Sequence, residues 1–124
     1  MDRILLTGGK LLDKSEGLHM AQKDILLSGG RIEKIADHIP AEADMKVLDV
    51  SGKIVAPGFI DIHAHVFPGS NLGVEPDSIG VPTGVTTICD AGTAGPENIE
   101  EFIEKYIKTS KTRIFSEMNF SKKG

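Results

Sequence analysis

The sequence predicts an α/β chain of two unlike parts: a small all-β unit over residues 1–55, then the opening of a parallel strand–helix–strand array over 56–124. Three observations predict it. A Gly-Gly segment occurs twice near the N-terminus, as "ILLTGGKLL" and "ILLSGGRIEKI". A strand-like run, "GFIDIHAHVF", is bounded on both sides by Pro-Gly. Further on, "ENIEEFIEKYIKTSK" carries one apolar stripe at helical spacing, with strand patterns before and after it.

Each Gly-Gly copy, Ile4 to Leu12 and Ile25 to Ile35, is an apolar run, a Gly pair and a second apolar run. Gly-Gly accepts the positive φ of a tight two-residue turn, so each copy reads as a β-hairpin. "KVLDV" (Lys46 to Val50) is a further strand, and Ser51-Gly52 the next turn. Two copies are too few for a solenoid. A sheet this small needs a second layer to bury its apolar face.

In the second part, "GFIDIHAHVF" reads as a strand and the Gly- and Pro-rich segment from Gly69 to Gly84 as a loop. "VTTICDA" (Val85 to Ala91) is a β-branched, apolar strand, and "GTAGP" a turn. In the helix, Ile99, Phe102, Ile103, Tyr106 and Ile107 form one stripe. Pro96 suits its first turn, acids sit at its start, and Lys105, Lys108 and Lys111 at its end complement the helix dipole. "RIFSEMNF" is the last strand, completing a βαβ unit.

A hydrophobic content of 40% with 26% charged residues suits a globular chain rather than a disordered one. A net charge of −4 argues against a nucleic-acid surface. No Lys or Arg occurs between Lys53 and Lys105, whereas Asp61, Glu75, Asp77, Asp90 and several helix acids do. Such a segment suits a bound cation, although part of the bias is a solvated helix face. The single cysteine, Cys89, permits no internal disulfide and reads as a small mid-strand residue. No run reaches the ~18 apolar residues of a membrane span, and "MDRILLTGGKLLD" lacks a signal-like core. A cytoplasmic location is the expectation.

Asp61, His63 and His65 alternate along the strand and so share a face. Two same-face imidazoles lie about 6.5–7 Å apart at the backbone and can tilt onto one ion. Alone, His-x-His on a strand is more often a surface or hydrogen-bonded pair than a metal site. The apolar run, the Pro-Gly flanks and the lack of nearby cations bring the metal reading level with the other here. Burial of the strand on both faces would require such a partner for its polar groups. A cupin is disfavoured because no acid follows His65 before Glu75, and a nucleophile-elbow G-x-S-x-G is absent. His19 and His38 fall in the β unit's loops and read as solvated.

"GKIVAPGFIDIHAHVFPG" resembles the first barrel strand of the amidohydrolase superfamily, whose signature is Pro-Gly-Phe/Leu-Ile-Asp-x-His-x-His. "NLGVEPDSIGVPTGVTTICDAGTAGPENIEEFIEKYI" is similar to its amidohydrolase/deacetylase branch, relatives of dihydroorotase and adenine deaminase. The resemblance implies a small N-terminal β-sandwich portion followed by the first strands and helix of a (β/α)8 metallohydrolase barrel. It implies one or two divalent metals, typically zinc, whose bound water becomes the nucleophile for an amide, cyclic amide or amidine carbon. His63 and His65 match the first two metal ligands. Asp61 matches the motif aspartate, read either as orienting a histidine or the strand end, or as pairing with local backbone. The loop from Gly69 to Gly84 lies where substrate-facing loops begin in such barrels, and Asp77, Gly92 and Thr93 are the candidate substrate contacts, against the plainer reading as a loop acid and turn residues.

Such a barrel needs about 250 residues. The family's lysine on the fourth strand, histidines on the fifth and sixth, and aspartate on the eighth have no counterpart here. The chain therefore reads as the N-terminal part of a metal-dependent hydrolase of C–N bonds acting on a small amide-type molecule. It is expected to be inactive alone and to self-associate through open strand edges. The alternative is a non-catalytic α/β module that works by association and binds metal weakly or not at all.

Overall fold

The computed structural model describes residues 3–124, and these divide into two compact units, one up to Pro57 and the other Gly58–Gly124.

The first unit is a sheet. β1 (Arg3–Asp13) and β2 (Leu18–Ser28) pair antiparallel, and β3 (Arg31–Ala36) pairs antiparallel with β2. β4 (Met45–Asp49) and the short β5 (Ile54–Val55) both run parallel to β1. The four-strand path is β3-β2-β1-β4. Leu5, Leu26 and Ile39 form the buried cluster, with Ala36 and Met45 against it.

The two Gly-Gly segments part company. Gly29 and Gly30, both at positive φ (57° and 74°), turn the β2–β3 hairpin as expected. The first pair makes no hairpin: β1 runs straight through Gly8 and Gly9. Gly8, at φ 75°, forms a bulge where the pairing with β2 shifts register. Its N–H donates to Asp24 Oδ1 at 3.1 Å. A Cβ on Gly9 would lie 2.8 Å from the Val55 methyl and 3.0 Å from that of Val50. This glycine pair therefore serves close strand packing, not a turn. The β1–β2 connection falls instead at residues 14–17. His19 accordingly lies on β2, exposed, while His38 follows β3 in a loop.

The second unit is a three-stranded parallel sheet, β6 (Phe59–Ala64), β7 (Val85–Ala94) and β8 (Arg113–Met118), in that order. The β6–β7 crossover is not all loop. It contains α1 (Pro76–Ile79) and a 3₁₀ turn (Val81–Thr83). The β7–β8 crossover is helical, but differs from a regular α-helix. α2 (Ile99–Phe102) passes into a π-helical turn over Ile103–Ile107, with Lys108 N–H donating to Ile103 C=O at 3.0 Å. Pro96 lies in the turn before the helix rather than in its first turn.

The π turn keeps Phe102 and Tyr106 on the sheet. Phe102 stacks on Phe67 at 4.9 Å between ring centroids, and Tyr106 meets Phe67 edge-on at 5.7 Å. Val66, Phe67, Ile88, Ala94, Phe102 and Ile114 make the buried core. β6 is not buried on both faces. It is an edge strand, and Phe59, Ile60 and Ile62 are 66%, 65% and 80% exposed.

Candidate metal and substrate site

All three strands of the second unit point their carboxyl ends the same way, and the candidate residues gather there. His65 follows the end of β6, Gly92 and Thr93 end β7, and Asn119 follows β8. Together they help line a concavity of about 540 Å³. The carboxyl ends of parallel strands are the usual place for a ligand in α/β folds.

Asp61 turns to its own backbone. Its Oδ1 accepts the His63 N–H at 3.0 Å, a local Asx-type bond. It sits where the β6–β7 pairing loses regular register, between Asp61 and Ala64. The imidazoles of His63 and His65 lie 5.6 Å apart between centroids, at 87° to one another. His63 is exposed and His65 half-buried.

Two imidazoles at this separation fit a ligand pair for one ion held at about 2.0–2.1 Å from nitrogen. Alone they would be a partial set, because a catalytic zinc takes three protein ligands. Among the described residues no group of three or more His, Cys, Asp or Glu side chains is gathered for a metal.

Two residues behind the histidines carry most of the local order. Asp90 is fully buried. Its Oδ2 accepts the Val66 N–H at 2.8 Å and the Thr93 hydroxyl at 2.7 Å, and its Oδ1 accepts the Thr93 N–H at 2.7 Å. Thr93, 4% exposed, places its Oγ1 2.8 Å from His65 Nδ1. Gly92 sits at φ 75°, and its carbonyl accepts from the Asn119 amide at 2.9 Å. A side chain there would be strained, which suits a turn at the lip of a pocket.

Asp77 is engaged elsewhere. Its carboxylate accepts the N–H groups of Lys111 and Thr112, each at 3.0 Å, and the Thr112 hydroxyl at 2.9 Å. These residues precede β8, so Asp77 ties α1 to the end of the sheet opposite His65. The Lys111 N–H, then that of Thr112, hold its carboxyl below the ordinary carboxylate range. Cys89 is half-buried on β7.

Sequence reading singles out the histidines, Gly92 and Thr93 but counts Asp90 only among the acids of the segment without Lys or Arg. A signal is present in "CDAGT": a carboxylate in an apolar strand, followed three residues later by a threonine that can return two donors to it.

Known proteins bear on this arrangement. The chain is 35% identical, over 98% of its length, to a deacetylase of Agrobacterium fabrum, of which it covers 30%. It superposes on the crystal structure of a dihydroorotase with a TM-score of 0.86 and 32% identity, covering 98% of this chain and 32% of that one. With an adenine deaminase the TM-score is 0.81 and the identity 34%, over 100% and 32% of the two chains. The chain belongs to the amidohydrolase superfamily. No family model matches it. It spans about a third of the length of these superfamily members, and its fold is that of the β-rich N-terminal portion of a larger barrel protein. Its curated relatives carry the names deacetylase, dihydroorotase and adenine deaminase, all hydrolases. Among the described residues, no helix is long and apolar enough to cross a membrane.

Proposed function

We propose that this chain is the part of a metal-dependent C–N hydrolase that supplies the first two metal ligands, His63 and His65. The observation that carries the reading is the pairing of these imidazoles, 5.6 Å apart, at the carboxyl end of a parallel sheet. The substrate class is a small amide or cyclic amide, as the deacetylase and dihydroorotase among its relatives suggest. The expected ion is divalent, with zinc the first choice, and it would supply Lewis acidity and an activated water. His63 and His65 hold it, Thr93 and Asp90 steady His65, and Gly92 leaves the pocket lip open.

In this reading the remaining ligands and the general base belong to later strands of a (β/α)8 barrel. The 124 residues alone therefore bind metal weakly and do not hydrolyse amides. The location is cytoplasmic. The second reading, a non-catalytic module acting by association, draws on the exposure of His63 and of the apolar residues on β6.

Metal content after exhaustive dialysis, with hydrolysis assays on N-acetyl compounds and dihydroorotate, tests the proposal. Expected are sub-stoichiometric metal that falls further in His63→Ala/His65→Ala, and hydrolysis no faster than the blank. Metal content unchanged in the double variant would overturn the ligand assignment. Metal-dependent hydrolysis would overturn the need for further strands.

A further inference from the structure

From the Asp90–Thr93–His65 chain of hydrogen bonds we infer that Thr93 is a positioning residue, not a substrate contact. It fixes His65 in the Nδ1–H tautomer and leaves the Nε2 lone pair for a Lewis acid or a proton. The argument is a count of protons. Three donors converge on Asp90, the Thr93 N–H on Oδ1 and the Val66 N–H and Thr93 hydroxyl on Oδ2, the pattern of a carboxylate that accepts only. The carboxylate lies in the core and takes the Thr93 hydroxyl as its third donor, at 2.7 Å.

A hydroxyl has one proton. Thr93 gives it to Asp90, so at its 2.8 Å contact with His65 the threonine oxygen accepts and the ring nitrogen donates. The proton therefore sits on Nδ1. The ring is held in direction as well, because Thr93 is clamped to Asp90 at both its hydroxyl and its N–H. Asp90 further anchors the segment that carries His65 through the next residue's N–H, that of Val66. Position and tautomer of His65 thus share one buried origin. His63, exposed and with its backbone tied to Asp61, has no comparable support. The two histidines are unequal: His65 is preset, and His63 adjusts.

The inference deepens the metal reading but does not depend on it, because the tautomer is a property of the metal-free chain. The test is long-range ¹H–¹⁵N correlation of the imidazoles in the metal-free 124-residue chain, at a pH where the rings are neutral. His65 signals are assigned by their loss in His65→Gln. Expected for His65 is a pyrrole-type Nδ1 and a pyridine-type Nε2. In Thr93→Val, which keeps shape and removes the hydroxyl, the pattern shifts toward the Nε2–H form favoured by free histidine, and Thr93→Ser restores it.

An Nε2–H tautomer in the wild type overturns the inference, and this arm needs no variant to fold. A tautomer unmoved in a folded Thr93→Val also overturns it. Zinc affinity provides the separate arm. Where the wild type binds zinc, a loss of about 10–100-fold in Thr93→Val supports positioning, and the same affinity in both overturns it. An Nδ1–H tautomer in a chain that binds no zinc upholds the inference while the metal reading fails.

Discussion

Thr93 Oγ1 lies 2.8 Å from His65 Nδ1, although 28 residues separate them. The contact joins the ends of two parallel strands, β6 and β7, at the pocket. Behind it stands Asp90, buried and fully partnered. A half-buried pocket group is thereby tied to a carboxylate in the buried interior of the unit.

Removing Asp90 should be costly. Asp90→Ala orphans the N–H groups of Val66 and Thr93 and the Thr93 hydroxyl. At about 1–3 kcal/mol per unsatisfied buried group, the second unit should lose about 3 kcal/mol or more, read as a lower urea midpoint. A loss under about 1 kcal/mol would show that water replaces the carboxylate.

The aromatic stack should matter comparably. Phe67 and Phe102 are both fully buried. Phe102→Ala should cost about 3–5 kcal/mol, and Phe102→Leu much less. Equal losses would mean that ring stacking, rather than volume, holds the helix to the sheet.

Acid should weaken both units. The Ile39 N–H, followed by that of Gly8, holds the Asp24 carboxyl below its ordinary value despite burial, and Asp77 is lowered in the same way by Lys111 and Thr112. A carboxyl lowered by folding adds stability that is complete above its unfolded pKa, about 3.9. It is lost as pH falls through the folded value. Stability should therefore hold steady from pH 7 to about 5 and decline below about 4. Asp24→Asn/Asp77→Asn should be less stable at pH 7 and decline less steeply. A parallel decline would assign the acid lability to other groups.

Self-association should follow from the open edge. Ile60 and Ile62 are 65% and 80% exposed on β6, whose outer edge is unpaired in this sheet. Sedimentation should show concentration-dependent species, reduced in Ile62→Lys. A monomer at all concentrations would contradict this.

Sequence patterns make several of these features legible, and physics explains the rest. The second Gly-Gly hairpin is readable because its glycines fall between strands of fitting length. The first misleads because the same dipeptide also serves a bulge beneath Val50 and Val55. The histidine pair is readable from its spacing. Its support is not, because Asp90 meets His65 only through the parallel pairing of β6 with β7, a long-range contact. Asp77 looks like a pocket acid in a loop, yet its partners Lys111 and Thr112 lie more than thirty residues on. The π turn is hidden because an apolar stripe at helical spacing does not report a local change to i→i+5 bonding.

The most direct test of the central claim is a zinc titration of the 124-residue chain, followed through the imidazole ¹H–¹⁵N signals of all four histidines. The account predicts that His63 and His65 move together, saturating at one ion per chain, while His19 and His38, in the other unit, stay in place. Signals of His63 and His65 that stay still, or that move no more than those of His19 and His38, would contradict it.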